Sequence, residues 1–404
     1  MQTRDTSSIE ADLLGRILIS RGLIDPSQIS ACTEVLRGES RRSPRRLVEL
    51  LRDRGLVTDS QARELLGTLD PAAIPPSVRT PDAAHRPDPL LGRRMGKCLL
   101  LGTIGRGSMG TVYRARHEGL ESNVAVKVLP EELSVIASYA ARFRQEAVSA
   151  GRLDHENIVR ILDVGSEGGR LYLVMEIVDG DSLEERVRRL GPLPPDEAAL
   201  ILRDLCRGLA HAHRHGVVHR DVKPGNVLVT NEGAVKIADF GLACDITGDF
   251  RITRTGVIVG TPAFMSPEQA RGKPATPLSD QYGAGLTFYY ALAGDFPFSG
   301  ESPVDVLLKQ VQENPEPLAV RRPDVSPSLV ATLERMTGKN PADRFPDLDA
   351  VADRLDDWLM SQADADPEAE SAEPETAADD GDTADVEPDG VTRIRERWRR
   401  ELQA

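Results

Sequence analysis

The sequence predicts an α+β architecture with two lobes, the first rich in strands and the second mostly helical, preceded by a small all-α domain. Three observations carry this prediction. A repeat with helical apolar spacing occupies the first 70 residues, and apolar runs typical of strands follow from about residue 94. Beyond about residue 180 the apolar spacing is mostly helical. The strand-like runs are at residues 99–104, 110–116, 123–129, 160–164 and 172–177, with one helical stretch at 139–153.

Composition indicates an ordinary globular protein of two or three domains, with 404 residues, 40% of them hydrophobic and 28% charged. No apolar run reaches the length of a transmembrane span, and no secretory signal opens the chain, so we expect a cytoplasmic protein. The four cysteines are widely scattered, which argues against structural disulfides and against a zinc site.

The net charge of −14 is concentrated in one segment, because residues 361–390 hold 12 acidic residues and no basic ones. The remaining parts of the chain are near neutral, which excludes a strongly basic surface for nucleic acid. Residues 391–404 carry five arginines and two glutamates, in a pattern that can form a short basic helix. We expect that helix to be solvated, or to fold back onto the acidic segment.

The first segment, residues 8–70, contains two copies of a pattern 33 residues apart. In each copy a helical run is followed by a glycine, Gly22 or Gly55, just past the predicted helix end. Asp25 and Thr58 are then placed to cap the next helix. Each copy is predicted to be a helical hairpin, and two hairpins together can bury one small core.

Composition also sets the predicted boundaries. They are a helical hairpin repeat at 8–70, a proline-rich linker at 71–93, a two-lobed domain at 94–360, an acidic disordered linker at 361–392 and a short basic helix at 393–404.

Gly105, Gly107 and Gly110 form a Gly-x-Gly-x-x-Gly pattern between two predicted strands. Glycine permits positive φ and a close backbone approach, so such a hairpin can fold over phosphate groups. In a dinucleotide-binding fold the same pattern must be followed by a helix. Residues typical of strands follow Gly110 here, which excludes that alternative.

Lys127 lies inside an apolar strand run, just after the glycine pattern. An ammonium group at this place can bridge two phosphates, and it needs a carboxylate to hold it. Glu146, in the predicted helical stretch, is the candidate that we favour, whereas Glu131 and Glu132 are alternatives.

A third group of polar residues indicates phosphoryl transfer. Asp221 can orient a hydroxyl and accept its proton, and Lys223 can neutralise the transferred phosphoryl group. Asn226 can hold a metal ion, and the Asp239 carboxylate would complete a magnesium site.

Together and in this order, the motifs resemble the catalytic domain of bacterial, eukaryotic-like serine/threonine protein kinases over residues 94–360. The resemblance implies a protein kinase fold, ATP and Mg²⁺ as cofactors, and proteins as phosphoryl acceptors. It implies Lys127, Glu146, Asp221 and Lys223 as catalytic residues, and Asn226 and Asp239 as magnesium ligands. The implied nucleotide site, with Met175 as gatekeeper, consists of Ile104, Gly105, Gly107, Gly110, Val112, Ala125, Lys127, Met175, Glu176, Val178 and Leu228.

The resemblance also covers the end of the activation segment, where Ser266 replaces the alanine usual in the family. It implies an ion pair between Glu268 and Arg344, and an Asp280 that supports the catalytic loop from a buried helix. Lys223 and Thr261 are typical of serine/threonine rather than tyrosine kinases.

Activation by phosphorylation is a further expectation. Arg220, directly before Asp221, can receive a phosphate from the activation segment. Thr253 and Thr255 are the favoured acceptors, with a transient homodimer as the state in which one copy modifies another.

The helical repeat resembles the N-terminal hairpins of secretion and pilus assembly ATPases, some of which bind cyclic di-GMP. We favour a role in docking or sensing through a signalling partner, with nucleotide binding as an alternative. For the two-lobed domain the alternatives are a pseudokinase scaffold and a small-molecule phosphotransferase. Intact Lys127, Asp221, Asn226 and Asp239 argue against the first, and a full activation segment argues against the second.

Overall fold

The structure, a computed structural model, confirms the predicted α+β architecture with a strand-rich lobe and a helical lobe. An antiparallel sheet of six strands is followed by a helical region whose largest helices pack around one continuous apolar core. The described residues are 25, 28, 31, 32, 35, 44–58, 62, 88–107, 110–240, 251–252, 258–259, 262–300, 302–364 and 390–403.

Most of the predicted repeat at residues 8–70 lies outside the described residues, so the small all-α domain stays a prediction. Helix α1 (Pro44–Asp53) is present, with Leu47 and Leu51 buried. Gly55 follows it with φ +68°, and the backbone N–H groups of Gly55 and Leu56 donate to the carbonyls of Arg52 and Leu51. This hydrogen-bond pattern is the helix ending that the sequence predicts at Gly55.

The sheet of the first lobe has the strand order β1-β2-β3-β4-β6-β5. Helix α3 packs on it through Tyr139 and Phe143, which share a core with Leu129, Leu171 and Leu173. The elements are β1 (Arg94–Met95), β2 (Cys98–Gly107), β3 (Gly110–His117), β4 (Ser122–Val128), α2 (Glu131–Ser134), α3 (Ala137–Ala150), β5 (Ile161–Glu167) and β6 (Arg170–Glu176).

The second lobe begins with a three-stranded sheet, in the order β7-β8-β9, which contacts helices α4 and α5. Its elements as far as residue 293 are β7 (Gly180–Ser182), α4 (Leu183–Leu190), α5 (Pro195–Arg214), β8 (Val227–Thr230), β9 (Val235–Ile237), β10 (Arg251–Ile252), β11 (Ile258–Val259), α6 (Pro267–Ala270) and α7 (Pro277–Ala293). Those that follow are α8 (Pro303–Gln312), α9 (Leu318–Arg321), α10 (Pro327–Met336), α11 (Asp349–Asp364) and α12 (Gly390–Gln403).

The structure corrects the expectation for the basic segment near residue 400. Helix α12 is not fully solvated, whereas its predicted contact with the acidic segment stays a prediction, because residues 365–389 of that segment lie outside the described part. Val391, Ile394 and Trp398 are buried in the core of the helical lobe. Helix α11 also runs to Asp364, past the predicted domain end at 360. None of the helices that the structure describes is long and apolar enough to cross a membrane.

Candidate active site

Strand β4 directs two of the predicted site residues towards the cleft between the lobes. Its alternate residues Val124, Val126 and Val128 pack in the sheet core, so Ala125 and Lys127 project from the opposite face. Lys127 is only 5% exposed. A buried ammonium group requires an anionic partner, and its Nζ lies 2.8 Å from Asp239 Oδ2.

The expected ion pair between Lys127 and Glu146 is not formed. Instead Arg220 Nη1 donates to Glu146 Oε1 at 2.9 Å, while Lys127 pairs with Asp239. The physical reason is that the four groups come from separate parts of the chain, so the packing of the lobes decides which cation meets which carboxylate. The four charged groups thus form two ion pairs, but Lys127 and Glu146 each have a partner other than the predicted one.

The loop after helix α5 places Asp221, Lys223 and Asn226 together. Lys223 Nζ donates to Asp221 Oδ2 at 2.6 Å, and Asn226 Nδ2 donates to the Asp221 backbone carbonyl at 2.8 Å. Asp221 is partly exposed, with 24% of its side chain accessible. A carboxylate held in this way can accept a proton from a hydroxyl group that enters the cleft.

Asp280, on buried helix α7, supports this loop as expected. Its carboxylate accepts from the backbone N–H groups of His219 and Arg220 at 2.7 and 2.8 Å, and contacts His213 Nε2 at 2.8 Å. Arg220 has φ +71°, a strained value for a residue other than glycine. The two hydrogen bonds that Asp280 accepts hold the backbone in this conformation.

Asn226 and Asp239 lie in adjacent backbone segments, because the N–H of Ala238 donates to the Asn226 carbonyl at 2.9 Å. Burial raises the pKa of Asp239, but Lys127 outweighs it and holds that pKa below its ordinary value. Asp239 is therefore an anion. Its backbone is in the left-handed region, with φ +63°. Since the Asn226 amide nitrogen is occupied, its oxygen is the atom available to a cation. An ionised carboxylate and an amide oxygen fit Mg²⁺.

An apolar cluster lies between the sheet and the second lobe and brings together most of the predicted nucleotide-contacting side chains. Ala125, Val159 and Met175 are buried at its centre. Val112, Ile177, Val178, Leu228 and Ala238 pack around them. Sequence reasoning missed Val159, Ile177 and Ala238, although Ala238 directly precedes Asp239. A flat aromatic base could be enclosed by such a surface.

The glycine pattern lies where strands β2 and β3 pair, with Gly107 opposite Gly110. Gly110 has φ +135°, and a Cβ there would lie 2.3 Å from the Val128 carbonyl oxygen, so no other residue fits. Gly105 pairs with Val112, and Ile104 is 52% exposed.

Asp88 is a contact to the glycine hairpin that sequence reasoning missed. It accepts from Arg106 at 2.7 Å and from the Tyr113 hydroxyl at 2.9 Å. Asp88 lies in the segment predicted to be a linker, so the first lobe extends slightly before residue 94.

Glu176 ends strand β6 and begins the connection to the second lobe. Its carboxylate accepts from Lys236 Nζ at 2.7 Å and from the Arg160 backbone N–H at 2.9 Å. These contacts hold the connecting chain against strand β9, so the backbone after Met175 has a defined position beside the apolar cluster.

The predicted ion pair between Glu268 and Arg344 is confirmed, with Nη1 to Oε1 at 2.8 Å. Thr253, Thr255 and Thr261 lie outside the described residues. The phosphorylation sites therefore stay predictions.

Comparisons with known proteins agree with this geometry. The protein kinase domain family matches residues 99–354. Serine/threonine-protein kinase PknB of Mycobacterium leprae is 41% identical over 246 residues, 60% of this chain and 40% of that protein. Serine/threonine-protein kinase PrkC of Bacillus subtilis is 40% identical over 257 residues, 63% of this chain and 40% of that protein. The chain thus spans about two fifths of the length of these curated relatives.

Solved structures show the same fold. The kinase domain of PknI from Mycobacterium tuberculosis superposes with a TM-score of 0.54 at 28% identity, covering 66% of this chain and 97% of that one. Rad53 residues 1–466, in complex with AMP-PNP, has a TM-score of 0.55 at 23% identity over 64% of each chain, a likeness of fold alone. The predicted two-lobed fold is confirmed.

Proposed function

The chain belongs to the protein kinase family, and on that premise we propose that it is an ATP- and Mg²⁺-dependent serine/threonine protein kinase. It would transfer the γ-phosphate of ATP to serine or threonine hydroxyls of proteins. One observation carries the proposal: Lys127 and Asp239 are paired at 2.8 Å, and Asp239 lies beside the loop that holds Asp221, Lys223 and Asn226.

Each residue has a role in this proposal. The glycine hairpin and Lys127 hold the phosphates of ATP, and the apolar cluster around Ala125 and Met175 encloses the adenine. Asn226 and Asp239 hold Mg²⁺, which when bound neutralises phosphate charge. Asp221 orients the acceptor hydroxyl and takes its proton, while Lys223 neutralises the phosphoryl group in transfer.

A serine/threonine rather than tyrosine acceptor is supported by Lys223, whose Nζ lies 2.6 Å from the Asp221 carboxylate. The ammonium group thus occupies the place beside the base where it can contact the transferred group. The identity to serine/threonine-protein kinases over about 250 residues supports the same acceptor class.

Activation is proposed to follow phosphorylation of Thr253 or Thr255 by another copy of the chain. A phosphate there carries up to two negative charges and would compete with Glu146 for the Arg220 guanidinium. Glu146, on helix α3, would then be available to Lys127. Arg220 pairs with Glu146 at 2.9 Å, which supports this sequence of events because the Arg220 guanidinium is placed to bind an anion.

We propose a cytoplasmic location, supported by the scattered cysteines, of which Cys32, Cys98 and Cys206 are buried and unpaired. For residues 8–70 we propose contact with a signalling partner, supported by the helical pattern in two copies.

The test uses the full chain with labelled ATP, Mg²⁺ and myelin basic protein, beside Asp221→Asn. We expect label in the substrate with the parent, and a rate about 10²–10⁴-fold lower with the variant, because the base is lost. Mass spectrometry would then locate phosphate on the chain, with Thr253 or Thr255 expected.

Asp179→Asn is the matched control, since this carboxylate is 68% exposed and Arg114 is its ion-pair partner among the described residues. It should retain the parent rate. Equal labelling by the parent and by Asp221→Asn, or no labelling by a parent that binds ATP, would refute the proposed activity.

A further inference from the structure

Helix α12 packs on the helical lobe through one apolar face. Val391, Ile394 and Trp398 recur at helical spacing and are all buried. Arg395 pairs with Asp204 and Arg397 with Asp196, both on helix α5, and Arg399 donates to the Glu232 carbonyl at 3.0 Å. Two arginines of α12 thus pair with acidic side chains of the lobe, and a third contacts a backbone carbonyl.

A cleft of about 200 Å³ lies where the first turn of α12 meets helices α5 and α11. Three arginines from two different helices face it, together with one acidic side chain. The lining residues are Arg203, Arg207, Asp356, Met360, Val391, Thr392 and Arg395.

Among the residues that the structure describes, positive charge exceeds negative charge in this cleft. Asp204 accepts from both Arg203, at 2.7 Å, and Arg395, while Asp356 accepts from Arg203 at 3.3 Å and from Arg207 at 2.6 Å. Three guanidinium groups of the described part therefore share two carboxylates, which leaves one positive charge among these five groups.

In the described part of the chain, Arg395 is the arginine of the cleft that lacks a hydrogen-bond acceptor for one of its donors. Its Nε is buried and has no hydrogen-bond partner among the described residues. Burial lowers the pKa of Arg395, Asp204 opposes that shift, and the neighbouring Arg203 adds to it. A buried donor without an acceptor is costly, so an anion that reached it would stabilise the cleft.

Thr392 is on the wall of the cleft, in the first turn of α12, and its side chain is exposed. A phosphate on this residue would add an anion where three arginines converge, and at a helix N-terminus, which favours negative charge. Bidentate contacts between arginine and phosphate are among the strongest hydrogen bonds in proteins.

We propose that Thr392 is a phosphorylation site, and that its phosphate is bound in this cleft by Arg207 and Arg395, holding α12 on the helical lobe. The inference rests on the proposed function in one respect, since the phosphate donor is ATP used by a second copy of this chain. The Thr392 oxygen forms a bond to the γ-phosphorus, the bond from that phosphorus to ADP breaks, and the hydroxyl proton passes to the carboxylate base.

The decisive test installs phosphothreonine at position 392 of the full chain by genetic encoding, which does not depend on its kinase activity. Hydrogen exchange of the amides at 391–403 reports how firmly α12 is held. We expect the phosphate to slow this exchange about tenfold, because charge-assisted hydrogen bonds are formed. In Arg207→Gln the slowing should disappear.

Arg399→Gln is the matched control, because this arginine is on α12 but does not line the cleft, and the slowing should persist. Unchanged or faster exchange on phosphorylation, or a slowing that survives in Arg207→Gln, would overturn the binding of the phosphate in the cleft.

A second arm identifies the donor. The parent is incubated with ATP and Mg²⁺, Thr392→Val serves as the site control, and phosphosites are mapped. Phosphate at Thr392 supports the proposal. Phosphate on other residues but not on Thr392 overturns self-modification of this site. If no residue of the chain and no residue of myelin basic protein is phosphorylated, the result counts against the proposed function. The hydrogen-exchange test with installed phosphothreonine still decides whether the cleft binds the phosphate.

Discussion

Ser266 is the residue at which this chain departs from the usual end of the activation segment, and the structure gives the departure a physical role. Its hydroxyl accepts from the Gln269 backbone N–H at 3.3 Å, and Gln269 Oε1 accepts from the Ser266 backbone at 3.2 Å. This capping box starts helix α6. Gln269 Nε2 also donates to the Arg220 carbonyl at 2.9 Å, so the cap is joined to the residue before Asp221.

Glu268, two residues after Ser266, forms a buried ion pair with Arg344, whose side chain is fully inaccessible to solvent. The two groups make two hydrogen bonds at 2.8 and 2.9 Å, and Ser279 adds a third at 2.8 Å. Burial raises the pKa of Glu268, but Arg344 outweighs this and lowers it below the ordinary 4.5. The folded chain therefore depends on an ionised Glu268.

Glu268→Ala is expected to lower the free energy of unfolding by about 3–5 kcal/mol, because it leaves a buried guanidinium without its counterion. Urea denaturation followed by circular dichroism measures this. The parent should also lose stability as the pH falls below 4.5 and Glu268 becomes protonated, and the variant should lack that contribution.

Glu118→Ala is the control for this prediction, since it removes an exposed partner of Arg94 and should change stability little. A Glu268→Ala variant as stable as Glu118→Ala would show that the buried pair does not contribute as argued.

At the scale of elements, α12 shows how a polar helix becomes part of a core. A helix of 14 residues is marginal in water by itself, so its stability must come from packing. Trp398 is 4% exposed and lies 5.8 Å from the Arg186 guanidinium, which in turn pairs with Glu197 at 2.7 Å. The indole ring of Trp398 thus packs α12 against helices α4 and α5.

Trp398→Ala is expected to release α12, because the largest apolar side chain of its buried face is removed. Hydrogen exchange of residues 391–403 should become at least tenfold faster, while that of helix α7 should not change. Glu396→Ala, at an exposed position of the same helix, should leave both rates unchanged. Retained protection of α12 in Trp398→Ala would contradict the packing argument.

At the scale of the whole molecule, the helical lobe contains a half-buried lysine that opposes folding at neutral pH. Lys339 Nζ donates to the Tyr282 hydroxyl at 2.8 Å and to the Gln310 carbonyl at 3.0 Å, and the Phe298 ring is 4.8 Å away. The structure gives it no ion pair with any described carboxylate. Burial therefore lowers the pKa of Lys339 to about 8, and Arg344 contributes to the shift.

The stability of the chain should therefore rise with pH above 8. In that range the unfolded chain still binds the Lys339 proton while the folded chain has released it, so the unfolded state binds more protons. Between pH 7.5 and 9.5 the parent should gain roughly 1–2 kcal/mol relative to Lys339→Met. Lys273→Met, at an exposed position, is the control and should follow the parent. Identical pH profiles for the parent and Lys339→Met would contradict the assignment.

The sequence by itself determined the architecture and those parts of the site that are local. Asp221, Lys223 and Asn226 lie within six residues of one another, so the backbone of one loop brings their side chains together. The ending of α1 at Gly55 is local in the same sense, because it depends on one residue that adopts positive φ. Apolar periodicity predicted the two lobes, since burial of apolar faces requires it.

Only the tertiary structure decided which distant groups are paired. Lys127 contacts Asp239 rather than Glu146, and Glu146 contacts Arg220, because these groups are far apart in the chain and meet only when the lobes pack. The position of α12 could not be predicted from the sequence, for a related reason. Its buried face is visible in the sequence, but the groove that receives it includes helix α5, whose Asp204 lies 191 residues before Arg395 in the chain.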